Sequence, residues 1–426
     1  MSAGTVDGLH MDTLNRPGGS RLFIPGQIVS LFGDGLAVLA IPLLVVHLTD
    51  NPTAMALAAA PRMVGYLIAG FPAGPLVDRT NPWHVLIVAD AVRAGIFIAI
   101  FGFTLTGTGS VGVVLVLAFA AGIAGVFFET ALTVAVRDVY RDRELVRTNS
   151  RLETASQASL LIGPAIVGLL SAAVGLRAAL LIDAATFVVS MVTLWRTYRR
   201  MPRSTAGADR ISWRRIGAEF HAGLRYLGTS PIMSSLAVLQ VVTNLCLAAT
   251  TLIVFFAHDY FGASPGLVGV VVAAGGIGGI LGAATAPAVI ARYRPVSVCV
   301  AGVLLIGIAL AAASFAPDIW WLAVSNAVLV WADVLASIVI RTLRQQVVPR
   351  ELLGRVTGTT RSLVFAAGPV GVVLAGLITQ LDGNNPRPVF LAAAVVIGVS
   401  APVVWATGLR RHRDIPLHRD EEMVTA

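Results

Sequence analysis

Three carboxylates, Asp34, Glu129 and Asp333, and one guanidinium, Arg62, stand inside stretches otherwise built from apolar side chains. Where such a stretch crosses a bilayer, a charge at mid-depth is costly even on forgiving insertion scales, so it normally faces the protein interior and has a partner. Desolvation also favours the neutral form of a carboxylate and can bring its titration close to neutral pH. A group poised there can take a proton from one side and release it to the other. The same groups can instead attract a cationic solute, or simply cap or hydrogen-bond a helix crossing. Asp34 lies about 18 Å from one end of its stretch and Arg62 about 14 Å from the opposite end of the next, at the helical rise per residue. At that shared depth they can pair, either as a switch in which protonation of Asp34 frees Arg62 or as a static lock between two helices. Glu129 and Asp333 each precede an arginine, Arg137 and Arg341, by eight residues, roughly 12 Å along a helix.

Amides and aromatics accompany these charges. Gln240, Asn244 and Thr251 follow one helical face, Asn326 is seven residues before Asp333, and Gln27 is seven before Asp34. Such amides either contact a ligand or join helices to one another. Phe127 and Trp331 offer flat apolar surfaces to an amphipathic solute, or pack in the core.

The elements that hold these residues follow from composition. Of 426 residues, 56% are hydrophobic and 13% charged, with a mean hydropathy of +0.81. A chain of this size in water carries about 25% charged residues, so the solvent here is a bilayer. All 31 basic residues are arginine. The missing lysine excludes Schiff-base chemistry and the lysine-dependent phosphate loop, so Gly275-Gly276-Ile277-Gly278-Gly279 belongs to no nucleotide-hydrolysing site of that type. Those glycines, with Gly282, read instead as close helix packing. No disulfide framework is expected from Cys246 and Cys299, both in apolar stretches. Met1 to Gly19 lacks the apolar core of a signal peptide. No cluster of His, Cys and Asp has metal-ligand spacing and no Ser-His pair is suited to catalysis, so neither enzyme activity nor a cofactor or metal is expected.

A bilayer core of about 30 Å needs roughly 20 apolar residues per helix. Twelve such spans are predicted, at 22–48, 53–77, 83–106, 109–138, 151–174, 177–198, 231–257, 264–291, 295–316, 319–347, 356–380 and 387–409. Arginines concentrate in alternate connections and both tails, leaving only Arg177 and Arg387 on the other side. That asymmetry predicts cytoplasmic termini and a cytoplasmic central segment. Basic charge on that face suits anionic lipid headgroups and not nucleic acid. Within the segment, residues 211–227 alternate apolar side chains and arginines at the spacing of an interfacial amphipathic helix. The predicted organisation is a tail 1–20, a six-helix half 21–198, a linker 199–230, a second half 231–409 and a tail 410–426.

The halves resemble each other. Arg137, Arg143-Glu144-Leu145, Arg147 and Gly163-Pro164 recur about 205 residues later as Arg341, Arg350-Glu351-Leu352, Arg355 and Gly368-Pro369. The same offset pairs Phe127 with Trp331 and Glu129 with Asp333. Two related six-helix halves with a site at mid-membrane are a recurring transporter design.

Gly70-x-x-x-Gly74-Pro75-Leu76-Val77-Asp78-Arg79 resembles the loop signature of the major facilitator superfamily. Together with Leu31-Phe-Gly-Asp34-Gly-Leu and Ala89-Asp90-Ala-Val-Arg93-Ala, it looks like the subgroup containing macrolide and enterobactin exporters. Gly163-Pro164 is similar to part of a motif associated with antiporters of that superfamily. The resemblance implies an all-α membrane fold of twelve helices in two pseudo-symmetric halves. It places spans 1, 4, 7 and 10 around a central cavity, and so brings Asp34, Glu129 and Asp333 near one another. It also makes Gly74, Asp78, Arg79, Asp90 and Arg93 a cytoplasmic gate cluster. There are departures: Thr80-Asn81-Pro82-Trp83 replaces the usual glycine and basic residues, and the fourth span lacks the membrane arginine of many proton-driven antiporters. The expected function is alternating-access, proton-coupled efflux of an amphipathic small molecule from the plasma membrane by a monomer. An importer on the same fold, or a sensor without transport, is the rival expectation.

Overall fold

The computed structural model describes residues 20–49, 60–106, 110–199 and 213–412. Those residues are helical almost throughout. In chain order the helices are α1 Ser20–Thr49, α2 Ala60–Arg79, α3 Pro82–Thr106, α4 Val111–Val139, α5 Asp142–Ala173, α6 Leu176–Tyr198, α7 Trp213–Thr229, α8 Pro231–Leu247, α9 Pro265–Arg292, α10 Pro295–Ser314, α11 Ile319–Val347, α12 Arg350–Leu381 and α13 Arg387–Thr407. Helix α8 continues through a 3-10 stretch, Ala248–Leu252, and a π-helical one, Phe256–Tyr260.

Eleven of these helices are long and apolar enough to cross a membrane; α2 and the amphipathic α7 are the others. Boundaries follow local chemistry. Pro82, Pro231, Pro265 and Pro295 open helices at the position where a missing N–H costs nothing. Ser110 and Asp318 cap α4 and α11 by accepting from Val113 N and Trp321 N, at 3.3 Å and 2.8 Å. Gly175, at φ 88°, makes the turn into α6. The fifth span begins at Asp142, nine residues before the expected boundary, so Arg143 and Arg147 lie on a helix. Acidic Asp142 and Glu144 in its first turn complement the helix dipole.

The two arginines that break the charge asymmetry have matching duties. Arg177 Nη2 donates to the Thr104 carbonyl at the end of α3, at 2.8 Å, and Arg387 Nη2 donates to the Ala316 carbonyl just past α10, at 2.6 Å. Each ties the sixth span of its half to the open C-terminus of the third, satisfying carbonyls that the helix itself leaves unbonded.

The described residues divide into two compact units, Met1–Arg141 with Ile162–Ile216, and Asp142–Leu161 with Gly217–Ala426. In the first, α6 packs against α1 and α3, and α4 against α2 and α3. Its core gathers Leu36, Ala40, Phe97, Ile100 and Phe187. In the second, α11 packs against α9 and α10, while α8 packs against α12 and α13. The opening turns of α5 belong to this second unit, although they precede the predicted linker by some 50 residues.

Glycines set the closest approaches. Gly275, Gly278 and Gly282 line the face of α9 that meets Asn326, Ala327 and Trp331 of α11, where a Cβ at Gly278 would run into the Ala327 carbonyl. Gly276 and Gly279, on another face, meet Leu161 and Gln157 of α5.

Candidate functional site

In the first unit a charged cluster sits at the middle of the helices. Asp34 is the fifteenth residue of α1, and Arg93 and Asp90 are the twelfth and ninth of α3. Arg93 Nη1 donates to both oxygens of Asp34, at 3.1 and 3.2 Å, and its Nη2 donates to Asp90 Oδ1 at 2.5 Å. The guanidinium is clamped between two aromatic faces, 4.3 Å from the Phe128 ring centre and 4.2 Å from that of Phe187. Cation–π attraction strengthens in such a desolvated setting. Arg93 and Asp90 are sealed, at 3% and 0% side-chain exposure, whereas Asp34 keeps 31%. The triad thus has a buried floor and one open carboxylate.

Polar side chains of α1 and α6 extend the cluster. Gln27 Nε2 donates to Ser190 Oγ at 3.3 Å, and Ser190 hydrogen-bonds the Asp90 carboxyl group. Gln27, Ser30 and Asp34 follow one face of α1, while Asp183 and Ser190, seven apart, follow one face of α6. A Cβ on Gly33 would collide with Thr186 and Asp183, so this glycine is what lets α6 bring Asp183 against α1. Gly163 of α5 does the same from another side, lying against the backbone of Gly35, next to Asp34.

This arrangement adds a partner that was not expected from sequence. Asp34 was expected to meet Arg62, whose side chain lies outside the described residues; among the described residues Asp34 pairs with Arg93. Asp90 and Arg93 were expected to join Asp78 and Arg79 in a cytoplasmic cluster. They face inward from mid-helix, while Gly74, Asp78 and Arg79 lie in the last turns of α2. Gln27, expected to line a cavity, is buried in the bundle. Glu129 and Phe127 are half-buried on α4, and the Glu129 carbonyl accepts the Thr133 hydroxyl at 3.0 Å.

In the second unit many of the polar groups gather around the first turns of α5 and the last turns of α11. Arg341 Nη2 donates to Glu153 Oε2 at 3.0 Å, and Gln157 Nε2 donates to the other oxygen of Glu153 at 3.0 Å. One turn earlier on α5, Asn149 Nδ2 donates to Gln345 Oε1 at 2.6 Å and to Thr342 Oγ1 at 3.0 Å. Arg344, buried, donates to Gln240 Oε1 of α8 at 2.7 Å. Asp333 stands two turns above Arg341, half-buried, with no hydrogen bond or ion pair among the described residues; Glu153 is the charge close enough to act on it. Asn326 and Trp331 are occupied with α9, through Asn326 Nδ2 to the Val271 carbonyl at 3.0 Å and Trp331 Nε1 to Thr285 Oγ1 at 3.1 Å. Both were expected at a cavity, and in the structure they hold α11 to α9. Asn244 is half-buried on α8, with its Oδ1 3.2 Å from where a Cβ on Gly368 would stand. Pro164 and Pro369 lie inside α5 and α12, each beside its motif glycine.

Sequence reasoning missed Phe128, Phe187, Ser190, Asn149 and Glu153. Asn149 was hidden in what read as a loop, and its signal was the acidic first turn of α5 at Asp142 and Glu144. Ser190 had a weak signal in its seven-residue spacing from Asp183. Nothing in the sequence distinguishes Phe128 or Phe187 from the other apolar residues around them.

Many membrane-length helices holding ionised groups in their interior define a polytopic carrier of solutes. The Major Facilitator Superfamily profile matches residues 23–259 and 236–425, and the chain belongs to that superfamily of membrane transporters, which move small molecules and are not enzymes. The chain is 28% identical to the multidrug efflux pump Tap of Mycobacterium tuberculosis, over 93% of this chain and 97% of that one. It is 22% identical to macrolide efflux protein A of Streptococcus pyogenes, over 84% and 89% of the two chains. Among solved structures, a bacterial homologue of the iron transporter ferroportin in its outward-facing state aligns with a TM-score of 0.74 at 16% identity, covering 91% of this chain and 99% of that one. That last likeness is one of fold.

Proposed function

We propose that this transporter exports an amphipathic small molecule, a drug or macrolide-like natural product or siderophore, in exchange for protons. It works from the plasma membrane as a monomer among lipids, with both termini cytoplasmic, by alternating access of its two halves to a site at mid-membrane. Efflux is supported by the near full-length similarity to two efflux proteins. Coupling rests on one observation: Asp34 is partly open while the arginine it pairs with is sealed. A proton on Asp34 cancels its charge and weakens its bond to Arg93, which Asp90 also holds, and so weakens the bond between α1 and α3. Proton binding is thereby converted into a change of helix pairing. Glu129 and Asp333 attract the cationic part of a substrate or carry further protons, and Gly74, Asp78 and Arg79 serve the cytoplasmic gate.

Dye and macrolide efflux from cells expressing the chain, with and without a protonophore, tests this reading. Protonophore-sensitive efflux that disappears in Asp34→Asn, with the variant still inserted in the membrane, is the expected result. Efflux indifferent to the protonophore removes the coupling, and protonophore-sensitive efflux that survives Asp34→Asn removes Asp34 from it. Net accumulation of the probe would make the protein an importer.

A further inference from the structure

The second unit buries a cation that meets no anion among the described residues. Arg344, in the last turn of α11, is 7% exposed. Its one hydrogen bond goes to a neutral group, Gln240 Oε1, at 2.7 Å. The charge close enough to act on it is another cation, Arg341, one turn earlier, and Arg341 already holds Glu153. Helices α8, α9, α10 and α13 carry no acid. Asp142, Glu144 and Glu351, in the first turns of α5 and α12, form no ion pair with Arg344, and Asp333 stands three turns away on α11 itself. Glu219 of α7 has its side chain outside the described residues. A buried ion left without a counter-ion is strongly unfavourable.

The surroundings of this guanidinium are set up to receive what it lacks. Side chains lean toward the N-terminus of their helix, so Arg344 reaches back from the end of α11 to the tenth residue of α8, Gln240. A guanidinium only donates, so Gln240 gives it the oxygen and turns its own Nε2 donor away. That donor takes no partner among the described residues, and the amide of Asn244, one turn further along the same face of α8, makes no hydrogen bond among them. Both amides are half-buried, in contrast with the sealed arginine. We propose that Arg344, Gln240 and Asn244 form a site for an anionic group, a carboxylate or a phosphate. Guanidinium N–H groups match such oxygens, and the amide N–H groups serve the lone pairs that remain. Gln240 is the placeholder: as a neutral acceptor it orients the guanidinium without cancelling its charge, as a carboxylate in its place would. The anionic group belongs either to the transported molecule, which makes amphipathic acids and zwitterions preferred cargo, or to a free inorganic anion. The cargo arm rests on the efflux function proposed above and deepens it; the site itself does not depend on it.

Titration of the purified, full-length transporter with dansyl-phenylalanine and with its methyl ester, followed by dansyl fluorescence, separates charge from apolar fit. The acid should bind the native protein roughly tenfold more tightly than the ester, as a hydrogen-bonded charge allows. Arg344→Gln should erase that preference and leave ester binding unchanged, and Asn244→Leu should weaken the acid more than the ester. Inorganic phosphate reports the other source. If acid and ester bind alike but phosphate raises the melting temperature of the native protein and not of Arg344→Gln, the occupant is a free anion. Gln240→Glu supplies the missing counter-ion from within the chain. It should raise the melting temperature by a few degrees and abolish both anion effects, and this arm stands even if Arg344→Gln fails to accumulate. A lowered melt in Gln240→Glu would mean that an acid elsewhere in the chain already serves Arg344, and overturns the proposal. So do an acid preference that survives Arg344→Gln, and equal binding of acid and ester with no effect of phosphate. Binding is read here without transport, so absence of efflux from cells would sink the exporter reading and leave the anion site to be decided on its own.

Discussion

The two halves share their outer grammar and differ in what they bury. Counted from Pro82 and Pro295, the first residues of α3 and α10, Asp90 corresponds to Val303 and Arg93 to Ile306. Counted from the first residues of α6 and α13, Asp183 corresponds to Ala394 and Ser190 to Ala401. All four residues of the second half are buried and apolar. One bundle therefore encloses a charged triad where its repeat encloses hydrocarbon. The second unit has its ion pair and most of its buried amide bonds on α5, α8 and the C-terminal turns of α11, and packs α9 on α11 through glycines. The arginine ties Arg177 and Arg387, by contrast, are the same in both. Ends of helices face the same unmet carbonyls in either repeat, so they keep the same solution. Interiors are free to diverge, because a mid-membrane charge is retained only where it has work and a partner.

That contrast can be broken most severely at Arg93. Arg93→Leu leaves Asp34 and Asp90 in the bundle without their cation, a loss of the size seen when a buried pair is broken, roughly 3–5 kcal/mol. We expect the variant to lose most of its folded yield in detergent-solubilised thermal melts, whereas Ile306→Leu at the matching position should melt within a few degrees of the native chain. Retention of native stability by Arg93→Leu would mean that the triad is not what holds α1 to α3.

Next in size is the effect of filling close helix crossings. Gly278→Val forces a side chain into the Ala327 backbone and should destabilise the second unit by about 1–3 kcal/mol, as overpacking usually does. Gly163→Ala and Gly368→Ala sharpen the comparison between repeats. The first meets immovable backbone at Gly35 and the second only the Asn244 side chain, so thermal melts should fall further for Gly163→Ala. Equal falls would show that α12 is as tightly seated as α5.

The smallest effect concerns the amide links of the second unit. Asn149→Ala removes two hydrogen bonds to Gln345 and Thr342, and each such bond contributes on the order of 1 kcal/mol. A melt lowered by a few degrees, with efflux largely kept, is expected. Complete loss of efflux at native stability would give Asn149 a part in the transport cycle itself.

Sequence alone determined the membrane class, the positions of nearly all spans, the kinship of the halves and the packing role of the α9 glycines. These depend on local quantities, apolar length, charge placement and small-residue spacing, which are written along the chain in the order they act. It also marked Asp34 correctly as a charge in need of a partner. That Arg93 pairs with it was beyond the sequence. Arg62 and Arg93 are both arginines at suitable depth, and only the seating of α3 between α4 and α6 brings the latter to Asp34 with two aromatic rings behind it. The same holds for Asp90, which the loop motif assigned to the cytoplasmic face and the helix carries inward. Asn326 and Trp331 were drawn to α9 because Gly275 and Gly282 leave room there. A charge or amide on a helix has several possible neighbours at each depth. Tertiary structure chooses among them, because rotation of one helix against the next decides which side chains are desolvated together.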